Sequence, residues 1–291
     1  MGIILPKKLQ AIYPFKSHRI KTQLGHNMHY IDERGGHPII MVHGNPTWSF
    51  FYRNLVLGLR DRYRCIVPDH IGCGLSDKPK NYPYLLQNHI DNLSKLVENL
   101  KLQSFHLIVH DWGGPIGIGM AQRFPEKLKK IVILNTAAFL SNNIPRRIAF
   151  CKKPLLRDFL IRGCNVFVRG ATMMAVKKPL CPLIKKGYHF PYNNWNNRIG
   201  VARFVQDIPL SQEHPSWNTL KHIERNLSFL NDKKMFICWG GKDFCFNDFY
   251  LKEWLRRFAN AQLRRYANAG HYLLEDAAEE VFTSVKNFLD D

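Results

Sequence analysis

Three residues of this 291-residue chain could together carry out nucleophilic chemistry. Asp111 stands in His110-Asp111-Trp112-Gly113-Gly114, directly after the apolar run Phe105 to Val109 and just before a helical pattern over Pro115 to Arg123. A strand, a sharp turn and a helix, with a glycine two places past the turn residue, is the setting that pushes one side chain out of a tight elbow. Val109 occupies the position two before it, where that motif usually has glycine, and a carboxylate replaces the usual serine. Asp243 follows the run Met235 to Trp239 in Gly240-Gly241-Lys242-Asp243, and His271 follows Gln262 to Tyr266 in Gly270-His271. Alone, an aspartate after a strand is often a helix cap, and one histidine among 13 is usually surface or core. All three lie at carboxyl ends of strands, in the chain order nucleophile, acid, histidine, and that combination points to a site.

A carboxylate nucleophile limits the reaction. It displaces a leaving group from carbon to form an alkyl ester, whereas attack on an ordinary ester would yield an anhydride of little use. Haloalkanes, epoxides and strained lactones fit, with His271 as the base that activates water and Asp243 orienting it. An epoxide would also need two tyrosines polarising its oxygen, for which Tyr188 and Tyr192 are candidates. Two donors stand ready for developing negative charge. Asn45, in His43-Gly44-Asn45-Pro46, offers its amide and neighbouring main-chain N–H groups as half of an oxyanion hole, and Trp112 offers a main-chain and an indole N–H. The strand after the nucleophile helix ends Leu134-Asn135-Thr136-Ala137 without a carboxylate, so Asp243 is preferred as the acid over Asp248 and Asp69.

These residues need a scaffold that brings strand ends together. Pro38 to Val42, Arg64 to Val67, Phe105 to Val109, Ile131 to Leu134 and Met235 to Trp239 read as buried strands, separated by helical patterns over Trp48 to Leu59, Leu85 to Leu102 and Pro115 to Arg123. A last helix falls near Ala277 to Leu289. Such alternation predicts an α/β fold of the α/β-hydrolase type, a mostly parallel central sheet flanked by helices. The stretch from about Ser141 to Thr219 breaks the rhythm: it is rich in Pro, Lys and aromatics and has no core-type strand. It reads as a helical cap over the ligand-binding edge of the sheet. The expected organisation is a core over 1–140, a cap over 141–219 and a second core segment over 220–291.

Composition excludes several classes. Seven scattered cysteines without a C-x-x-C pair argue against a disulfide framework or a zinc site, so reduced thiols in a cytoplasmic protein are expected, with no metal and no cofactor. No apolar stretch of about 18 residues spans a membrane, and the amino terminus lacks the pattern of a secretory signal. Charge is the one extreme, with 42 Lys+Arg against 23 Asp+Glu for a net +19. Residues 141–190 hold eleven basic residues and one acidic residue, Asp158, so ten of those charges sit in the cap segment. A basic face of this size suits an anionic membrane surface or an acidic partner as well as plain solvation. No nucleic-acid-binding signature accompanies it.

The motifs His43-Gly44-Asn45-Pro46-Thr47-Trp48, Pro68-Asp69-His70-Ile71-Gly72-Cys73-Gly74-Leu75-Ser76-Asp77-Lys78-Pro79 and His110-Asp111-Trp112-Gly113 resemble the haloalkane dehalogenase group. Leu134-Asn135-Thr136-Ala137-Ala138-Phe139, Asn194-Trp195-Asn196-Asn197-Arg198-Ile199, Arg203-Phe204-Val205-Gln206-Asp207-Ile208-Pro209-Leu210 and Cys238-Trp239-Gly240-Gly241-Lys242-Asp243-Phe244 look like one branch of it. That branch is the β-lactone decarboxylases of bacterial long-chain olefin biosynthesis, which convert a cis-3-alkyl-4-alkyloxetan-2-one to a cis-alkene and carbon dioxide. The likeness runs from about residue 20 to the end, and the Lys- and Arg-rich cap is the departure. It implies that Asp111 attacks the lactone ring at one of its carbons, through an alkyl ester or an anhydride, that Asn45 and Trp112 hold the departing carboxylate or the carbonyl oxygen, and that His271 with Asp243 handles proton transfer. Phe139, Phe167, Trp195 and Phe204, with Phe190, Met173 and Met174, would line an apolar tunnel for the alkyl chains. A lactone-forming synthetase is the partner that the resemblance suggests, and haloalkane hydrolysis is the rival activity.

Overall fold

The computed structural model describes residues 5–291 except 142, 146, 147, 149, 151 and 153–156. Its centre is an eight-stranded sheet, β1 (Ser17–Lys21), β2 (Asn27–Glu33), β3 (His37–Val42), β4 (Tyr63–Pro68), β5 (Phe105–His110), β6 (Leu128–Leu134), β7 (Lys234–Gly240) and β8 (Gln262–Tyr266). The order is β1-β2-β4-β3-β5-β6-β7-β8. From β4 through β8 every neighbouring pair is parallel, whereas β1 and β2 form an antiparallel hairpin whose second strand also runs antiparallel to β4. This is the α/β-hydrolase arrangement.

The inner parallel strands are the apolar runs of the sequence, while the edge strand β8 is mostly exposed. All of Phe105–His110 is buried, as is the Ile131 to Leu134 part of β6, because helices cover both faces. Burying one such Ile, Leu or Val contributes roughly 1.5–3 kcal/mol. The hairpin carries no such run. Ser-His-Arg-Ile-Lys at the sheet's edge is mostly exposed with only Ile20 buried, and Asn-Met-His-Tyr-Ile-Asp-Glu beside it is only partly buried, so no strand was expected there. Other boundaries move by a few residues. The helix expected over Trp48 to Leu59 is a 3-10 turn, Ser49–Tyr52, leading into the helix Arg53–Leu59, and the nucleophile helix is Gly113–Ala121.

Between β6 and β7 the described residues form helices and no strand: Val166–Met174, Pro182–His189, Ile199–Gln206 and Trp217–Arg225. The first three, with their connecting segments, lie over the carboxyl ends of the parallel strands and are called the cap below. Trp217–Arg225 straddles residue 219 and packs instead on the core helices Leu86–Asn99 and Gly113–Ala121, where Gln122 Nε2 donates to the Ile223 carbonyl at 2.8 Å. No helix among the described residues is long and apolar enough to cross a membrane.

Candidate active site

The elbow places Asp111 at φ +52°, a left-handed backbone that costs a non-glycine residue about 1–3 kcal/mol. Its neighbours hold it there. The Asp111 N–H donates to the Asn135 carbonyl at 3.2 Å, Gly114 N–H donates to the Asp111 carbonyl at 2.9 Å, and Thr136 Oγ1 donates to that same carbonyl. The turn is tight enough to require glycine: a Cβ on Gly113 would lie 1.9 Å from the Val42 carbonyl oxygen. Val109 is accommodated through Gly117 opposite, where a Cβ would come within 2.7 Å of Val109 Cγ1. The space that the usual motif gains from a glycine before the nucleophile is thus supplied by Gly117 on the following helix.

The other expected partners converge on this carboxylate. His271 Nε2 is 3.6 Å from Asp111 Oδ2, and its Nδ1 lies 2.7 Å from Asp243 Oδ2. Asp243 Oδ1 accepts the N–H groups of Cys245 at 2.6 Å and Phe246 at 3.1 Å, so the acid is held rigidly and presents its second oxygen to the imidazole. All three side chains are buried. Burial pushes the Asp111 pKa up; His271 and the Trp112 and Asn45 main-chain N–H groups act against this without reversing it. Burial would lower the His271 pKa, but the Asp243 and Asp111 charges outweigh it and leave the imidazole raised.

Asn45 differs from expectation in one respect. Its main-chain N–H donates at 2.6 Å to Asp111 Oδ1. The donor expected to face a substrate oxygen is therefore occupied by the nucleophile's own carboxylate, which leaves Oδ2 as the reactive oxygen. The side-chain Nδ2 donates one hydrogen to the Val201 carbonyl at 3.2 Å, and an amide has a second. The Trp112 indole N–H makes no hydrogen bond among the described residues, and its ring is braced edge-on against Phe204 at 5.5 Å.

A cavity of about 670 Å³ opens above Asp111, Asn45, Trp112 and His271. Its walls are almost wholly apolar and include Phe139, Phe167, Ala171, Met174, Leu220 and Phe244. Two expected tunnel residues lie elsewhere. Phe204 is buried behind Trp112, stacked on His89 at 4.5 Å, because the side of its helix that carries it faces the core. Trp195 is 44% exposed on the outer surface, with the Arg162 guanidinium 4.4 Å over its ring. Phe190 is also absent from the lining, and Met173 points outward. Nor do Tyr188 and Tyr192 line the cavity. Tyr188 donates to Glu275 and Tyr192 to the Thr47 carbonyl at 3.2 Å, so the epoxide reading loses its two donors. Among the described residues no group of three or more His, Cys, Asp or Glu side chains could hold a metal ion.

Sequence reasoning passed over three positioning residues. Asn135, noted only for lacking a carboxylate, exchanges two hydrogen bonds with Gly240, Nδ2 to O at 3.1 Å and N to Oδ1 at 2.7 Å. With its carbonyl on Asp111, it ties the nucleophile turn to the strand that delivers Asp243. His110 Nε2 lies 2.9 Å from the His271 carbonyl, and burial keeps His110 far below the usual imidazole pKa, hence neutral. Asp276 accepts Gly270 N–H at 2.7 Å and Lys177 N–H at 2.8 Å, joining the histidine loop to the cap. The signal for Asn135 was present in its position at a strand's carboxyl end. Asp276 carried none, since its partners are all main-chain groups.

A model of the α/β-hydrolase fold matches residues 37–278. The cis-3-alkyl-4-alkyloxetan-2-one decarboxylase of Shewanella oneidensis is 45% identical over 97% of this chain and 90% of its own length. The protein of the same name from Xanthomonas campestris pv. campestris is 40% identical over 96% and 97%. Haloalkane dehalogenase 2 of Mycobacterium tuberculosis is 29% identical over 94% and 95%. In three dimensions the chain is similar to the haloalkane dehalogenase DbeA of Bradyrhizobium elkani, with a TM-score of 0.86 and 21% identity over 95% of this chain and 98% of that one, a likeness of fold.

Proposed function

This chain belongs to the α/β-hydrolase fold family, and on that premise we propose that it decarboxylates a cis-3-alkyl-4-alkyloxetan-2-one to a cis-alkene and carbon dioxide. One observation carries the chemistry: the Asn45 main-chain N–H bonds Asp111 Oδ1. A tetrahedral oxyanion formed at a substrate carbonyl would need that donor, and it is already occupied. Attack at a saturated carbon needs no such hole, so Asp111 Oδ2 attacks C4 of the oxetanone ring from the side opposite the ring oxygen. The C4–O bond breaks, and its electron pair leaves as a carboxylate toward Trp112 Nε1 and the second Asn45 amide hydrogen.

The ester then fragments. The C3–carboxylate bond supplies the electron pair of the new C3=C4 double bond, carbon dioxide departs, and the C4–Oδ2 bond returns its pair to Asp111. One inversion at C4 followed by an anti departure gives net syn loss, so a cis lactone yields a cis alkene. No proton and no water is consumed. His271, raised in pKa and 3.6 Å from Oδ2, serves this sequence as a cation that stabilises Asp111 while it is expelled, and Asp243 holds that charge in place. The apolar cavity takes the two alkyl chains.

Names of relatives 45% and 40% identical favour the lactone over a carbon–halogen bond; dehalogenases are more distant. The purified protein is to be given a synthetic cis-3,4-dialkyl oxetanone and, in parallel, 1-bromobutane. Alkene and carbon dioxide from the first, with no bromide from the second, is the expected result. Bromide release as the faster reaction would overturn the assignment.

A further inference from the structure

The outer face of the cap is built unlike the rest of the surface. Seven of the ten exposed large hydrophobic side chains among the described residues lie between positions 150 and 210. In the helix Val166–Met174, Val166, Arg169 and Met173 follow one another at i, i+3 and i+7 and so share a face. Val166 is 43% and Met173 69% exposed, and Phe159, on the adjoining turn Asp158–Gly163, is 63% exposed. A Cβ placed on Gly163 would meet the rings of Trp195 at 3.6 Å and Phe159 at 4.0 Å, so these two aromatics are surface neighbours. Val166 also lines the cavity, as does Leu160 beside Phe159. The apolar patch therefore rims the entrance to the site.

The same cap segment is rich in basic side chains. Arg169, Lys177, Lys178 and Lys186 are exposed and make no ion pair among the described residues. The one carboxylate of residues 141–190, Asp158, is already shared by Arg157 and Arg162 at 3.1 and 3.8 Å. Apolar side chains that would insert among acyl chains, with Arg169 on the same helix face and further unpaired cations in the same segment, complement an anionic bilayer: each Lys or Arg near such a surface adds about fivefold in binding, and the attraction decays within a Debye length.

We propose that this face of the cap docks on an anionic lipid surface and opens the cavity toward the bilayer, so that a water-insoluble substrate enters from the membrane. The substrate's class rests on the lactone assignment above; the docking does not. Flotation with vesicles of phosphatidylglycerol and phosphatidylcholine, against pure phosphatidylcholine, tests it without turnover. Binding to the anionic vesicles, weakened by salt, is expected. The double variant Phe159→Glu/Met173→Glu and the triple variant Arg169→Glu/Lys177→Glu/Lys178→Glu should each lose at least about tenfold of it. Both should keep the parent's rate on a short-chain lactone in solution and fall behind on a long-chain lactone delivered in vesicles. No binding to anionic vesicles, or binding unchanged in both variants, overturns the proposal. So does a result in which the variants lose only a partner enzyme, such as a lactone-forming synthetase, while vesicle binding persists. Vesicle binding without lactone turnover by the parent would sink the assigned function and leave the docking intact.

Discussion

Gly44 should be irreplaceable for reasons of space. A Cβ at this position would lie 1.9 Å from Asp111 Oδ1, 2.3 Å from its Cβ and 2.4 Å from its Cγ. Ordinary contact begins near 3.4 Å, so in Gly44→Ala the carboxylate must retreat by roughly 1.5 Å, an overpacking that costs about 1–3 kcal/mol. The retreat also stretches the 2.6 Å bond from Asn45 N–H, a charge-assisted bond worth about 1.5–3 kcal/mol. Displacement of a reacting atom by about 1 Å alone can lower a rate on the order of 100-fold. Gly44→Ala should therefore lose at least about 100-fold in alkene formation, read by gas chromatography, with a lower melting temperature. The Asn45 bond would refute itself as an organising contact if this variant turned over within about threefold of the parent.

Asp111→Asn should abolish turnover yet fold, because an amide oxygen can still accept the Asn45 N–H. Burial raises the Asp111 pKa above its ordinary 3.8, so the folded parent binds a proton more tightly than the unfolded chain and loses stability as pH rises through that interval. The melting temperature of Asp111→Asn minus that of the parent should grow with pH there; a shrinking difference would contradict the burial argument. The parent's rate should fall with acid at a midpoint above 3.8, since only the carboxylate attacks. Asp243→Asn removes the charge that raises His271, so the imidazole pKa, followed by NMR, should drop and the rate should fall, since a neutral ring no longer stabilises Asp111 as it is expelled. Tyr272 is buried with a hydroxyl that makes no hydrogen bond among the described residues; Tyr272→Phe should raise stability by about 1–3 kcal/mol in urea titration, and an unchanged or lowered value would mean that the hydroxyl is satisfied in solution.

Much of this was legible because the parallel strands announce themselves. A strand buried on both faces must be apolar throughout, so the runs ending at Val42, Val109 and Trp239 marked where Asn45, Asp111 and Asp243 would meet, whereas the strand before His271, Gln262–Tyr266 at the sheet's edge, is mostly exposed and was signalled by its place in the chain order. Two kinds of information were not legible. An edge strand needs only one buried face, and the strand beside it is here only partly buried, so β1 and β2 carry His, Arg and Asp in a pattern that reads as loop. In the cap, side-chain direction depends on how short helices rotate against one another. Phe167 and Phe204 are both cap aromatics, yet only the first faces the cavity, and no local spacing separates them. Main-chain hydrogen bonds are equally silent: the grip of Asp276 on Gly270 and Lys177 leaves no residue pattern.

The Asn45 contact also shows how one fold moves from acyl transfer to alkyl transfer. In a serine enzyme the elbow side chain ends in one oxygen, and the nearby main-chain donors are left for the substrate's oxyanion. A carboxylate brings two oxygens to the same elbow. Oδ1 takes the donor at 2.6 Å while Oδ2 stays 3.6 Å from His271, so the nucleophile is aimed by the group that would otherwise have stabilised attack on a carbonyl. Replacing the hydroxyl by a carboxylate thus removes one reaction and orients the reagent for another in a single change. In the proposed reaction the side-chain donors of Asn45 and Trp112 are what remains to stabilise the leaving group, and their place among the apolar walls suits a substrate that becomes charged only at its departing end.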